Sequence, residues 1–291
     1  MYTIEKGQNK KYTEYTLIDE ENKTSCKINP ENGGMLISFV KDGYEYIYLD
    51  EDNFYYGEKP STANPILFPI NGQLENDKYI YEGKEYTIPS HGFARRRDWK
   101  VESTSDKDCA SISIYLEDDE ETFKNYPFHF KVTYTYELKN NELTISQRYE
   151  NTGDNDMPFT YGIHPYFNVE SVDTTEVYVD AEESRLWVRG NFEEFKPWDS
   201  KPFILDVEYG EGQRQFKSTK SPLVLKDKAR NKKVTIEMDE NFPIAVCWAK
   251  KDNGFICLEP WSQIQNAFNL GIEETLKAKE VKEVKVKIIV D

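Results

Sequence analysis

Two histidines and one glutamate lie in short segments whose composition favours acid/base chemistry. His91 falls within the segment SHGFAR and His164 within the segment GIHPYF. Glu259 follows an apolar run and precedes Pro260, where we expect a strand to end and the carboxylate to be partly buried. Two imidazoles and one carboxylate are the groups needed for general acid/base catalysis on a neutral polar substrate. Burial would raise the pKa of the carboxyl towards that of a useful base.

Each of these residues also has a structural interpretation. Glu259 could be a paired carboxylate at the end of a strand, and a histidine inside a strand is usually a packed, hydrogen-bonded residue, which is how we interpret the third histidine, His129. His91 and His164 differ from it because a glycine follows the first and a proline the second. Neither residue suits a regular central strand, so we expect both imidazoles to project from strand ends or corners.

Composition and charge set the class of protein. The 291 residues contain 37 basic and 53 acidic side chains, a net charge of −16, so we expect no binding to nucleic acid. The four cysteines lack zinc-ligand spacing and favour reduced thiols, and we expect no metal site. No signal peptide or membrane span is recognisable, which favours a cytoplasmic protein without a membrane partner. No linker divides the chain, so we predict one domain over residues 1–291.

Period-two alternation of apolar and polar residues dominates the chain. Residues 130–138 and 143–149 alternate on either side of Asn140 and Asn141, which predicts a hairpin. Similar patterns predict four more hairpins, with arms at 35–40 and 44–49, 78–81 and 85–88, 223–225 and 234–238, and 244–249 and 255–258. Helical signals are few, at 118–126 and 272–279. The chain is therefore predicted to be all-β, a large antiparallel β-sandwich or barrel.

Three ordered motifs resemble those of the aldose 1-epimerase (galactose mutarotase) family: HGFAR from His91, HPYF from His164 and LEPW around Glu259. The nearest branch carries HGFAR and also contains hexose-6-phosphate epimerases. The resemblance extends from about Asn64 to Trp261. It implies a galactose mutarotase-like supersandwich with a carbohydrate cleft on one sheet, a small-molecule sugar as the partner, and no metal or organic cofactor.

The resemblance also implies a role for each motif residue. Glu259 would be the base on the C1 hydroxyl, His164 the acid towards the ring oxygen, and His91 the residue that holds or polarises that oxygen. Arg95 would contact the substrate, although an intramolecular ion pair is the alternative. Two aromatic residues, Trp261 and Phe93, would stack on a sugar face or else belong to the core.

The sequence departs from the family pattern at two places. Gln73 stands where many relatives have a substrate-binding arginine; it can bond a hydroxyl but supplies no charge to a phosphate. The acidic residue expected near the C2 hydroxyl is absent before residues 223–225, and neither Asp199 nor Asp206 can be assigned to that role. Three functions stay open: an aldose 1-epimerase of a hexose, a hexose-6-phosphate 1-epimerase, and a non-catalytic carbohydrate-binding sandwich. The oligomeric state is not predicted.

Overall fold

The computed structural model describes residues 1–57, 61–188 and 191–291, and most of the regular structure is antiparallel strand. The first part of the chain forms β1 (Tyr2–Asn9), β2 (Tyr12–Asp19), β3 (Thr24–Asn29), β4 (Met35–Lys41), β5 (Tyr44–Glu45), helix α1 (Glu51–Tyr56), β6 (Ile66–Leu67), β7 (Lys78–Tyr81) and β8 (Lys84–Thr87). The middle part forms β9 (Lys100–Ser105), β10 (Ala110–Glu117), helix α2 (Glu120–Asn125), β11 (Phe130–Lys139), β12 (Glu142–Asn151), β13 (Met157–Phe159), β14 (Gly162–Ile163), β15 (Tyr166–Asn168), β16 (Thr175–Asp180) and β17 (Glu183–Val188).

The last part continues the antiparallel pattern. It forms β18 (Asn191–Phe192), β19 (Lys196–Pro197), β20 (Glu211–Lys217), β21 (Lys220–Asp227), β22 (Lys232–Met238), β23 (Ile244–Lys250), β24 (Phe255–Trp261), helix α3 (Ala267–Leu270), β25 (Glu274–Leu276) and β26 (Val281–Val290). Short 3₁₀ turns occupy Glu75–Asp77, Ala94–Arg96 and Val172–Thr174. No helix in the described residues is long and apolar enough to cross a membrane.

Two large sheets form the body of the fold. Sheet A has the strand order β16-β21-β22-β26-β12-β11-β10-β9. Sheet B has the order β18-β17-β20-β23-β24-β14-β6, with β15 also paired to β24 and β19 to β17. Strands β1 to β5 form a separate meander. The predicted all-β class and the large antiparallel sandwich are confirmed.

The alternation along β24 places the chemistry on one face of sheet B. Ile256 and Leu258 point into the main core, which also contains residues of sheet A such as Val286. Cys257 and Glu259 therefore point to the opposite face, because successive strand residues alternate. Both faces of β24 are covered, and all seven of its residues are buried. A carboxylate is thus held on a rigid central strand and shielded from bulk water.

The five predicted hairpins are present, with some changes of length. The pairs β11–β12, β7–β8, β21–β22 and β23–β24 match the predicted arms closely. The strand β5 covers only two residues of the expected arm at 44–49, and the chain then bridges at Ile47 to Phe167 in sheet B. The short helix predicted at 118–126 is α2, which begins at a capping box formed by Asp119 and Thr122.

Two local predictions were wrong. The segment 272–279 is not helical: β25 pairs with β13, and burial of Leu276 outweighs helix propensity. The strand carrying Glu259 does not end before Pro260 but continues through it to Trp261. Pro260 is tolerated because it lies between the pairing of β24 with β15, at Cys257, and its pairing with β14, at Trp261.

Candidate active site

Glu259 is the most deeply buried acid of the candidate site. Its side chain is 1% exposed, and the indole Nε1 of Trp261 donates a hydrogen bond of 3.0 Å to its Oε2. The two residues share a face because they are two positions apart in β24. The indole N–H of Trp261, a residue expected to stack on a sugar or to belong to the core, therefore orients the carboxylate of Glu259.

His164 lies in the gap between β14 and β15, as the sequence predicted for a corner residue. Its Nε2 is 3.5 Å from Oε2 of Glu259. The ring stacks on Tyr166 with centroids 4.8 Å apart and planes at 9°. The backbone N–H of His164 donates to the carbonyl of Pro65, which fixes this corner against the neighbouring segment. The imidazole is thereby held facing the carboxylate.

His91 comes from a tight turn on the far side of His164. Its φ is +63°, a conformation that a non-glycine residue adopts only when its surroundings impose it. Gly72 imposes it: the His91 amide donates to the Gly72 carbonyl, and the Gly72 amide donates to His91 Nδ1 at 3.1 Å. A Cβ on Gly92 would lie 2.1 Å from the Phe68 carbonyl oxygen, which explains the glycine of the motif. The His91 and His164 rings meet edge to face at 5.2 Å.

Arg95 lies in the 3₁₀ turn that follows His91. It is 6% exposed, and its Nη2 donates to the backbone carbonyl of Ser90 at 3.0 Å. Its Nε has no hydrogen-bond partner among the described residues. Burial, followed by the charge of Arg96, lowers the pKa of Arg95 to about 10, so it is cationic at neutral pH. The ion pair considered as an alternative is not formed with any described carboxylate.

Burial displaces the pKa of every titratable group at the centre of the site. Desolvation raises the pKa of Glu259 well above its usual value, opposed by the Trp261 hydrogen bond and by Arg95. Desolvation, with Arg95 second, lowers the pKa of His164 to about 3. Desolvation and the same arginine lower the pKa of His91 well below its usual value. Both shifts therefore favour the neutral forms, with the carboxyl of Glu259 protonated and the imidazole of His164 unprotonated.

The other predicted substrate residues differ in their positions. Gln73 follows the turn at Gly72, is exposed, and donates from Nε2 to Asp77 at 3.1 Å. Phe93 packs against Phe68 and Phe130, with ring centroids 6.1 and 5.9 Å away, and borders the main core. These contacts fit the core interpretation of Phe93, and the sugar contact of its partly exposed ring stays a prediction.

Sequence reasoning missed three neighbours of His164. Tyr166 was visible within the HPYF motif, and Cys257 could have been found because it is two residues before Glu259. Trp248, whose ring centroid is 6.1 Å from that of His164, had no local signal, because only the pairing of β23 with β24 brings it there. Cys257 was interpreted as a packing residue; it is fully buried but shares the face of Glu259.

Two further expectations concern acids and metals. Asp199 and Asp206 are both exposed, and Asp199 pairs with Lys201. Within the described ranges, one group of possible metal donors is close together: single atoms of His164, Cys257 and Glu259 all lie within 4.8 Å of one another. Imidazole, thiolate and carboxylate are all donors that zinc accepts. That the protein needs no metal therefore stays a prediction.

Comparison with known proteins identifies the family of this chain. The family model for aldose 1-epimerase matches residues 14–288, nearly the whole chain. The protein belongs to the aldose 1-epimerase family. Protein LacX of Lactococcus lactis is 27% identical over 264 residues, which cover 82% of this chain and 85% of LacX. A putative glucose-6-phosphate 1-epimerase of Cenchrus ciliaris is 25% identical over 258 residues, covering 78% and 72% of the two chains.

Solved structures support the same assignment of fold. The Slr1438 protein of Synechocystis aligns with a TM-score of 0.87 and 28% identity, over 100% of this family member and 99% of that chain. A galactose 1-epimerase of Lactobacillus acidophilus aligns with a TM-score of 0.77 over 100% and 98% of the chains. Its identity is 16%, so this likeness concerns the fold alone. The galactose mutarotase-like sandwich expected from the motifs is confirmed.

Proposed function

We propose that this aldose 1-epimerase family member interconverts the α and β anomers of a hexose or related aldose. The observation that carries the proposal is the buried pair of Glu259 and His164, whose Oε2 and Nε2 are 3.5 Å apart beside the ring of His91. An acid and a base held side by side on a strand and a corner are what a two-proton reaction at one carbon requires.

Ring opening needs two proton transfers. Glu259 as carboxylate removes the proton of the C1 hydroxyl while the bond from C1 to the ring oxygen breaks. The electron pair of that bond goes to the ring oxygen, which takes a proton from protonated His164, and a C1 carbonyl forms. Rotation about C1–C2 exposes the other face of the carbonyl. Closure reverses both transfers, so the enzyme ends with its protons where they began.

The directions of the two pKa shifts fit this cycle. With the proton on Glu259 both groups are neutral, which burial favours; with the proton on His164 the pair becomes a carboxylate base beside an imidazolium acid. Transfer of one proton from Glu259 to His164 therefore produces both the base and the acid, and it does not change the net charge of the site. The Trp261 hydrogen bond, which favours the ionised form of Glu259, lowers the cost of that move, whereas Arg95 favours the carboxylate but disfavours the imidazolium.

His91 is suited to hold the ring oxygen. Because its Nδ1 accepts the Gly72 amide, the neutral ring carries its proton on Nε2. That N–H is a donor in a ring kept neutral by desolvation, so it polarises an oxygen without competing with His164 as the acid.

The test is the relaxation of optical rotation of freshly dissolved α-D-glucose and α-D-galactose, with wild type beside Glu259→Gln. We expect wild type to accelerate relaxation of at least one sugar, and the variant to lose the acceleration while its melting temperature stays at least as high. Failure of wild type over a wide panel of aldoses, with sugars still raising the melting temperature, would replace this proposal with the carbohydrate-binding alternative.

A further inference from the structure

Arg185 of β17 has surroundings that the acid/base mechanism does not use. Its guanidinium carbon lies 4.3 Å from the ring centre of Phe192 and 4.5 Å from that of Phe195. Its Nε and Nη2 both donate to Oε1 of Gln215, at 2.9 and 2.6 Å. Two phenyl rings and one amide oxygen thus fix a half-buried arginine in one orientation.

The register of sheet B places Arg185 on the face that carries the catalytic pair. Arg185 is paired with Gln215, Gln215 with Val246, and Val246 with Glu259. Directly paired residues of antiparallel strands share a face, so these four side chains form one row across the sheet. The row spans three strand spacings, so the Cα atoms of Arg185 and Glu259 are about 14 Å apart. The guanidinium of Arg185 bonds to Gln215, which lies two strand spacings from β24, so the guanidinium is roughly 10 Å from β24.

A second row supplies an apolar border beside the first. Trp187, Gln213, Trp248 and Cys257 are paired in the same way, on the same face. The two tryptophans are partly exposed, as a surface for the apolar side of a sugar ring would have to be. Gln215 and Val246, which lie between Arg185 and Glu259 in the first row, are fully buried, and the distance along that row is comparable to the length of a pyranose ring with one exocyclic substituent.

The positive charge of Arg185 is not neutralised by the described part of the chain. Its hydrogen-bond acceptor is a neutral amide, and burial is the sole cause that lowers the pKa of Arg185, with no carboxylate contributing. Gln215 is fully buried, and its Nε2 has no hydrogen-bond partner among the described residues. A buried donor without an acceptor is costly, so both groups favour an incoming oxygen that carries negative charge.

We propose that Arg185, held by Phe192, Phe195 and Gln215, binds an anionic group of the sugar at the end remote from C1, so that the substrate is an acidic aldose carrying a carboxylate, sulfate or phosphate. This inference rests on the proposed function, because it places C1 at Glu259. It also separates the anion from the position of Gln73, which follows β6 at the other edge of sheet B.

The experiment compares anomerisation of neutral and acidic sugars by exchange NMR. Wild type is assayed with glucose, glucuronate, glucose 6-sulfate and glucose 6-phosphate, and the three acidic sugars distinguish the source of the anion. We expect kcat/KM to be higher for at least one acidic sugar than for glucose. Arg185→Gln should lower this ratio by roughly tenfold or more, mainly through KM, because it removes charge-assisted hydrogen bonds. Arg185→Lys keeps the charge but not the fork, and should recover part of the ratio.

Arg148→Gln is the matched control, since Arg148 is a partly exposed arginine of sheet A paired with Glu150 and Glu283. It should leave the ratio unchanged. Equal losses for glucose and the acidic sugars in folded Arg185→Gln and Arg185→Lys, or no acidic preference in wild type, would overturn the inference while the proposed function stands.

Thermal stabilisation by the same sugars separates the two ideas if no sugar is turned over. Stabilisation by an acidic sugar that exceeds that by glucose and depends on Arg185 would support the anion subsite although the proposed function had failed. Stabilisation that is equal for neutral and acidic sugars, or unaffected by Arg185→Gln, would overturn the subsite as well.

Discussion

The molecule contains two pairs of histidine and carboxylate in opposite surroundings. His129 Nδ1 lies 2.8 Å from Asp118 at the start of β11, with side chains 59% and 19% exposed. His164 Nε2 lies 3.5 Å from Glu259, with side chains 9% and 1% exposed. The closer pair is the one that water screens, and exposed pairs contribute little to stability or reactivity.

Burial, and not proximity, is what distinguishes the pair of His164 and Glu259. At His164 and Glu259 desolvation disfavours both charged forms and moves the two pKa values in opposite directions. Both shifts favour the neutral form of each group. The His129 side chain, in contrast, is 59% exposed to water.

The largest expected difference between the pairs is in turnover. His164→Asn should lower kcat by roughly 10² to 10⁴, the contribution typical of a positioned general acid or base. His129→Asn, the matched exposed histidine, should leave kcat unchanged. Anomerisation rates of both variants provide the measurement, and similar losses in the two would contradict the assignment of the acid.

The second difference is in acid stability. The unfolded chain binds a proton at His164 near pH 6.5, while the folded protein does so only near pH 3. The stability from this neutral imidazole is therefore present above pH 6.5 and is lost as the pH falls towards 3. Between pH 7 and about 4.5 the loss amounts to about 2 kcal/mol.

Urea unfolding at the two pH values tests this difference. Between pH 7 and about 4.5, the unfolding free energy of His164→Asn should fall by about 2 kcal/mol less than that of wild type. The unfolding free energy of His129→Asn should fall as much as that of wild type. An unchanged acid loss in His164→Asn would mean that the imidazole is solvated and protonated in the folded state.

The third difference concerns Glu259 and has the opposite sign. Its raised pKa means that the stability from the protonated carboxyl is present in acid and lost as the pH rises through the folded pKa. Glu259→Gln keeps the shape without the ionisation, and should raise the unfolding free energy at alkaline pH relative to wild type. Asp118→Asn is the control, and a gain of the same size there would weaken the role of burial.

The smallest predicted effect comes from the indole that bonds Glu259. Trp261→Phe keeps an aromatic ring but removes the N–H that lowers the pKa of the carboxyl. We expect kcat to fall by roughly threefold to tenfold, the worth of one hydrogen bond, and the proton to leave the pair at higher pH. A pH–rate profile that stays in place would show that Trp261 acts only by packing.

Much of the fold was predictable because its signal is local. Alternating residues predicted β11 and β12, since a half-buried strand repeats every two residues, and two apolar runs on either side of a turn predicted β23 and β24. The segment 272–279 was mispredicted because its helix propensity is outweighed by pairing with β13, a contact over more than a hundred residues. The prediction that the strand ends before Pro260 was wrong for a similar reason. The sequence does not show where the partner of β24 changes from β15 to β14.

Some residues of the candidate site were predictable from local motifs, and others were found only in the structure. The motifs identified His91, His164, Glu259 and Arg95, because each stands in a distinctive local segment. The structure alone shows that Phe93 packs against Phe68 and Phe130. It alone brought in the row of Arg185 and Gln215, whose side chains carry no motif.

The sequence by itself determined the strand pattern, the corners that carry two histidines and the family to which the chain belongs. These are properties of short segments, where alternation, glycine and proline act through the nearest few residues. The tertiary structure decided which groups lose their water and which face each other. Desolvation and cross-strand pairing depend on residues far apart in the chain, so the opposite pKa shifts of His164 and Glu259, and the charge of Arg185 that no described carboxylate pairs, exist only in the folded sheet.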